Sequence, residues 1–167
     1  MIEATEFLDT IFDSKSDDDE TVLICRQTKV NDGGMIAFPY SAELLKRWKR
    51  TTKPTSTYFC VSTSKKPEAE ADGSIRWKRR KSDCVSAYVL VLDDIGTKVE
   101  EEPPVGPTYK METSPGNFQW GYILEDYDDL DKYEAYYDAI AKLGFTDEGA
   151  GGRNRIMRIP GSINTKK

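Results

Sequence analysis

The run Tyr88-Val89-Leu90-Val91-Leu92-Asp93-Asp94-Ile95-Gly96 decides how this chain reads. Its first five residues are apolar strand formers, and turn residues close the run abruptly, as at the end of a short buried strand. Two carboxylates at such an end are costly, because desolvation and mutual repulsion both oppose ionisation. A divalent cation compensates them, and oxygen ligands suit magnesium or manganese. A metal-dependent phosphoryl-transfer site on a sheet is therefore the expectation. One geometric condition attaches to it. Neighbouring side chains of an extended strand face opposite ways, so Asp93 and Asp94 share an ion only where the strand ends or bulges. Otherwise Asp93 takes its partner from another segment, with Asp147 and Glu112 as candidates.

Downstream, Glu100 to Pro107 holds three prolines in eight residues and cannot be regular structure. Tyr109–Glu112 and Phe118–Leu124 read as strands flanking the turn Ser114-Pro115-Gly116-Asn117. Leu130, Tyr133, Tyr137, Ile140 and Leu143 recur at helical spacing over Asp129–Leu143, and Gly144 stands where that helix would stop. Thr146 to Gly152 is a loop, and Ile156–Ile159 a last short strand. Upstream, residues 3–13 predict an amphipathic helix through Phe7, Leu8, Ile11 and Phe12. Ser14 to Glu20 reads as an acidic loop, and Val22–Cys25 and Thr57–Ser62 as strands. Ser41 caps a helix from Ala42 to about Arg50, with Leu44, Leu45 and Trp48 on one face and the cations Lys46, Arg47, Lys49 and Arg50 solvated on the others. Strands grouped this way with helices on one face give an α+β fold around a mainly antiparallel sheet.

The chain has 167 residues and 18.9 kDa, the size of one domain, with an N-terminal α/β portion over 1–84 and a second portion over 85–167. A chain of this length buries roughly 70% of its unfolded surface and needs no disulfide or zinc staple. Three widely spaced cysteines, Cys25, Cys60 and Cys84, include no CxxC pair, so reduced thiols are expected. Histidine is absent, which removes every mechanism that needs an imidazole base, nucleophile partner or ligand. The longest apolar run, Ala87–Leu92, is too short to span a bilayer, and no membrane partner is expected. A net charge of −5 argues against a generic basic coat for nucleic acid but leaves room for a local stripe. That stripe is Ile75-Arg76-Trp77-Lys78-Arg79-Arg80-Lys81, in which Arg76, Trp77, Lys78, Arg79 and Arg80 suit phosphate contact and base stacking. The competing reading buries Trp77 and leaves the cations in water.

Phosphoryl transfer asks a protein for positioning, metal ions and charge-absorbing groups rather than covalent chemistry. Asp93 and Asp94 supply acidic ligands, backbone N–H groups of the Thr113–Asn117 turn suit a triphosphate, and Arg155, Arg158, Asn164 and Lys166 are placed to clamp it.

Three blocks now resemble a known family: Leu92-Asp93-Asp94-Ile95-Gly96; Glu112-Thr113-Ser114-Pro115-Gly116-Asn117-Phe118-Gln119; and Asn154-Arg155-Ile156-Met157-Arg158-Ile159-Pro160-Gly161-Ser162-Ile163-Asn164-Thr165-Lys166. They look like the motif blocks of archaeo-eukaryotic-type primase-polymerases, nearest to the phage and plasmid branch of RepB-like primases. The resemblance implies an RRM-like catalytic core over 85–167 that uses Mg2+ or Mn2+ and nucleoside triphosphates on a single-stranded DNA template. Carried over, Asp93, Asp94 and Asp147 match acidic metal-binding positions, and Arg158, Asn164 and Lys166 match the nucleotide pocket. Two departures stand out. The family spaces its first carboxylates by one residue, whereas here they adjoin. Its second motif carries a histidine, for which Ser114, Asn117 or Gln119 must substitute. The short apolar runs and an N-terminus without a signal-peptide segment lead to the expectation of a cytoplasmic protein (the host cell's cytoplasm, if phage-encoded). The ending at Lys167, directly after the last block, leads to the expectation of a fragment of a longer chain bearing a replicative helicase or a linker domain. A non-catalytic single-stranded DNA-binding or nucleotide-binding module of the same fold is the alternative.

Overall fold

The computed structural model describes residues 2–15, 18–27, 35–49 and 56–163. Its elements run α1 (Ala4–Ile11), β1 (Glu20–Gln27), β2 (Met35–Pro39), α2 (Ala42–Lys49), β3 (Thr57–Lys65), β4 (Cys84–Ile95), β5 (Tyr109–Ser114), β6 (Asn117–Tyr127), α3 (Leu130–Lys142) and β7 (Ile156–Arg158). One sheet in the order β2-β1-β3-β4-β6-β5, with β7 also on β3, contains all seven strands. Every pairing between named strands is antiparallel. The fold is α+β, and the sheet runs without interruption across residue 84.

Alternation along β1 and β3 explains why both faces are covered. Val22, Ile24, Phe59 and Val61 point into the main core with Phe7, Leu8 and Ile11 of α1, Leu45 and Trp48 of α2, and Leu130, Tyr133 and Tyr137 of α3. Leu23, Cys25, Tyr58 and Cys60 point the other way, into a smaller cluster that Ala37 of β2 completes and half-buried Trp77 covers. Trp77 thus follows the inward-packing alternative. All three cysteines are free, with Cys25 and Cys60 buried. Burial pushes the Cys25 thiol up to about 12, far from a reactive thiolate.

Several elements exceed or escape the sequence expectation. Glu20 is no loop residue: it opens β1 and accepts a hydrogen bond from the Thr63 hydroxyl. β2 had no counterpart in the reading, because its burial is weak apart from Ala37 and Ile36 stands half-exposed at a sheet edge. β4 extends to twelve residues. α3 starts as expected, with the Asp129 side chain accepting from the Lys132 N–H. Leu45 and Trp48 of α2 are buried while Lys46 and Arg47 are exposed; Arg50 lies outside the described residues. Among the described residues, no helix is long and apolar enough to cross a membrane.

The feature that positions a site is a fork in the sheet. β3 pairs with β4 only through Ser62 and Ser64, then gives its other end, Tyr58 to Cys60, to β7. β4 therefore diverges from β3 towards its own C-terminal end. The gap lies between the acidic tip of β4 and the arginine-bearing β7.

Candidate active site

The β4–β6 register shifts between Leu92 and Ile95, so the strand bulges at the two aspartates. Asp94 takes φ 60, a left-handed conformation that Asp tolerates better than most residues. The bulge turns Asp94 to the same side as Asp93, and both line the fork. This is the condition adjacent carboxylates had to meet. The Asp94 N–H donates to Asp93 Oδ1 at 3.0 Å, and the Asp94 carbonyl accepts from the Thr97 and Val99 N–H groups. Gly96 follows at φ 88, and a Cβ there would stand 2.5 Å from the Gly116 carbonyl oxygen. Only glycine lets the tip of β4 and the β5–β6 turn approach so closely.

That turn holds Pro115 and Gly116 at its centre, with Gly116 at φ 74, as a type II geometry requires. One of the backbone N–H groups expected to form a cradle there is engaged within the turn. The Gly116 N–H donates to Glu112 Oε1 at 2.9 Å and is already used. Glu112 is exposed and is not part of the cleft wall, which leaves Asp147 as the partner carboxylate. The turn also contributes side chains. Asn117 Nδ2 donates to Asp94 Oδ1 at 2.8 Å, and Thr113 and Ser114 line the cleft.

Asp147 arrives by a hydrogen-bonded chain through α3. The Asp93 N–H donates to Thr146 Oγ1 at 2.9 Å, and the Tyr137 hydroxyl donates to the Asp147 carbonyl at 3.2 Å. The remaining contact, 3.0 Å between Thr146 Oγ1 and the Tyr137 hydroxyl, is then donated by Thr146. Thr146 is 3% exposed, so the middle of this chain is enclosed, and the chain fixes the loop against β4. Lys98 closes the arrangement: its Nζ lies 2.7 Å from Asp94 Oδ2 and 3.1 Å from Asp147 Oδ1.

The facing wall is cationic. Arg155 precedes β7 and Arg158 ends it, and Arg79 joins them from the basic stripe. Arg79 Nη1 donates to the Asn154 carbonyl while Asn154 Nδ2 donates to the Arg79 carbonyl at 3.1 Å, a reciprocal clasp between segments 75 residues apart. Among the described residues neither Arg155 nor Arg158 has an ion-pair partner, and Arg155 Nε and Arg158 Nη1 are buried without a hydrogen bond. Asn117 Oδ1 and Gln119 Oε1 share that condition, and Gln119 is only 4% exposed. Buried polar atoms are rarely left unpaired in native proteins, and four around one cleft mark a place built for a polar ligand. The cleft measures about 730 Å³, ample for a nucleotide.

Electrostatics separate the acids. Burial, followed by the Asp94 charge, raises the Asp93 carboxyl above its ordinary value; the Asp94 N–H, the Gln119 amide and the Arg155 charge offset this only in part. Hydrogen bonds to Asp94 and Asp147 hold the Lys98 ammonium up to about 12, charged at any working pH.

The structure thus brings Asp93, Asp94, Asp147, Ser114, Asn117, Gln119, Arg155 and Arg158 to one cleft, with Arg79 added. It places Arg76, Trp77, Lys78 and Arg80 on a separate groove, and Asn164 and Lys166 lie outside the described residues. Sequence reading missed Lys98, Thr146 and Tyr137 as parts of the site. Lys98 alone left a local trace, as a cation four residues after Asp94.

An acidic bulge on a forked antiparallel sheet, facing unpaired arginines, defines the class as an α+β domain with a polar-ligand cleft. No family model matches the chain, and no curated protein matches it. Among solved structures the chain is similar to the AEP domain of the primase-polymerase of cyanophage S-2L, with a TM-score of 0.68 at 11% identity over 95% of this chain and 80% of that one. At that identity the likeness shows the fold.

Proposed function

We propose that this chain is a primase-polymerase domain, a nucleotidyltransferase that joins nucleotides from nucleoside triphosphates on a single-stranded DNA template. The observation that carries the reading is the opposition of three carboxylates and three guanidinium groups across one cleft, with buried polar atoms on both walls left without partners. The fold likeness supports it, as do the motif blocks, which favour the phage and plasmid RepB-like branch and a helicase partner.

The acidic wall fits a Mg2+ or Mn2+ ion. Asp94 and Asp147 converge on one cationic centre, already marked by the Lys98 ammonium, and Asp93 adjoins them. When bound, such an ion neutralises phosphate oxygens and lowers the pKa of an attacking hydroxyl. The chain's own groups do the rest. Arg155, Arg158 and Arg79 take up triphosphate charge, with the unsatisfied Arg155 Nε and Arg158 Nη1 as donors. Asn117 fixes Asp94, Thr146 and Tyr137 fix the Asp93–Asp147 junction, and burial shields the charges from water. Ser114, Asn117 and Gln119 line the cleft and are the residues available to substitute for the histidine of the second motif.

Among the described residues no group of three or more acidic, thiol or imidazole side chains is arranged as a ready metal site, and this favours the non-catalytic nucleotide-binding reading as the competitor. One experiment separates them. The protein is incubated with single-stranded DNA, labelled nucleotides and Mn2+, and short products are expected. Nucleotide binding without products would establish the competitor.

A further inference from the structure

Lys98 stands apart from the other cations of the cleft. Arg79, Arg155 and Arg158 sit on the wall opposite the acids, whereas the Lys98 ammonium stands among the acids, at 2.7 and 3.1 Å from one oxygen of each. The backbones that carry those two oxygens are held independently of Lys98. Asp94 is set by its bulge and by Asn117 on its other oxygen. Asp147 is set by the Tyr137 bond to its carbonyl and by its N–H on the Asp93 carbonyl at 3.4 Å. The fold therefore brings the two carboxylates within reach of one point, and Lys98 is its occupant. The side chain is 64% exposed, on the loop just past Gly96. A flexible stem of that kind loses rotamer freedom when docked and regains it on leaving. The point also belongs to a cleft with independent signs of a ligand, since Gln119 is buried with an unpartnered Oε1 on its wall.

We infer that Lys98 is a tethered competitor for the divalent ion: its ammonium occupies the point between Asp94 and Asp147, must leave for the ion to bind, and so sets the ion's apparent affinity. This rests on the metal-dependent reading of the cleft given above. Two cations cannot share one point, so binding exchanges an ammonium for an ion of twice the charge. The displaced ammonium lines the same cleft and is left to meet the anionic ligand. Without metal, Lys98 keeps the acids compensated and the tip of β4 in place.

The test is a Mn2+ titration of the full chain, reading free ion by its paramagnetic resonance signal, for wild type and Lys98→Met. Methionine keeps the stem and removes the charge. About tenfold tighter Mn2+ binding is expected for Lys98→Met, the effect of removing two partly exposed ion pairs from the competing state. The same substitution is made in an Asp147→Asn background, where the gain should shrink to about twofold because half the bridge is gone. A gain undiminished there would mark a general field effect and overturn the inference. So would equal Mn2+ affinity of wild type and Lys98→Met, which would leave the metal reading intact. No Mn2+ binding by either protein, with or without nucleoside triphosphate, would overturn both. Thermal unfolding run alongside should show that Mn2+ raises the Tm of Lys98→Met more than that of wild type.

Discussion

The cleft between β4 and β7 and the groove beneath residues 75–80 are both rich in cations, but they hold them differently. In the groove, Lys65, Lys66, Arg76, Lys78 and Arg80 are exposed, interspersed with Glu68, Glu70 and Asp83, and Lys78 pairs with Glu70 at 3.5 Å. In the cleft, Arg155 and Arg158 are half-buried, with donors that have no partner. Exposed, screened charge costs and gains little; half-buried, unpaired charge costs the protein stability that only a ligand returns. By that measure the sparser of the two cationic regions is the candidate site, and the densest run of positive charge in the sequence lies mostly outside it.

The comparison breaks most easily at Asp93. Asp93→Asn should lower nucleotide incorporation by about a thousandfold or more, on the order of 4 kcal/mol of transition-state stabilisation, while the fold persists. Its carboxyl is raised by burial and by Asp94, so the group favours folding while protonated. That contribution is complete below the ordinary carboxyl pKa and disappears as pH rises through the raised value. Asp93→Asn lacks this loss, so urea unfolding should find the variant at least as stable as wild type at neutral pH. A variant that is inactive because it is unfolded would contradict both statements.

Next come the arginines. Arg155→Ala and Arg158→Ala should each weaken nucleoside triphosphate binding about 10- to 100-fold, the loss of a charge-assisted hydrogen bond or two. Neither should lower the Tm of the free protein, because each removes a charge whose buried donor has no partner. Calorimetric titration and thermal unfolding on the same samples read both. Falling stability with unchanged nucleotide affinity would make these residues structural.

Glu134 sharpens the contrast from the structural side. It receives the Arg153 side chain and backbone N–H and pairs with Lys81 at 2.9 Å, tying α3 to the loop before β7. Burial pushes its carboxyl up, but the hydrogen bonds from Arg153 and Lys81 prevail and hold it at about 2. The stability it contributes is present above the ordinary glutamate pKa and is lost as pH falls towards about 2. Glu134→Gln should cost about 2 kcal/mol at pH 7 by urea unfolding, discounted for the exposure of Lys81, and the two proteins should converge in acid. Activity should change little.

What the sequence carried, and what it could not, follows the range of each interaction. Tyr88–Leu92, the Pro115-Gly116 turn and the 3.6-residue stripe of α3 are local patterns, and each stands where its pattern put it. The bulge at Asp94 was legible only as a condition, because its cause is the register of β4 on β6 and the close approach of Gly96 to Gly116. Arg79 read as one cation of a stripe; its bonds to Asn154 select it for the cleft, and nothing within ten residues of it reports them. The fork depends on β7 taking one end of β3 from β4, a competition among strands that no single strand's composition encodes. Thr146 and Tyr137 were invisible for the same reason.

The smallest expected effect concerns the groove itself. If Arg76, Lys78 and Arg80 guide single-stranded DNA past the cleft, replacing all three by alanine should flatten the salt dependence of DNA binding. Each phosphate contact on a single strand contributes about −0.7 to the slope of log K against log [salt], so losing three reduces its magnitude by about 2. The change at moderate salt is modest, because exposed cations gain little there. Trp77 gives the control: it packs against the cluster of Leu23, Cys25, Ala37, Tyr58 and Cys60, so Trp77→Ala should lower Tm and leave the slope unchanged. Nucleotide affinity should survive the triple substitution, since Arg155, Arg158 and the clasped Arg79 are untouched. Arg79→Ala should show the reverse, weaker nucleotide binding with most of the slope retained. Were the triple variant to lose nucleotide and DNA together, groove and cleft would form one electrostatic surface, and the distinction between screened and half-buried charge would not divide their functions.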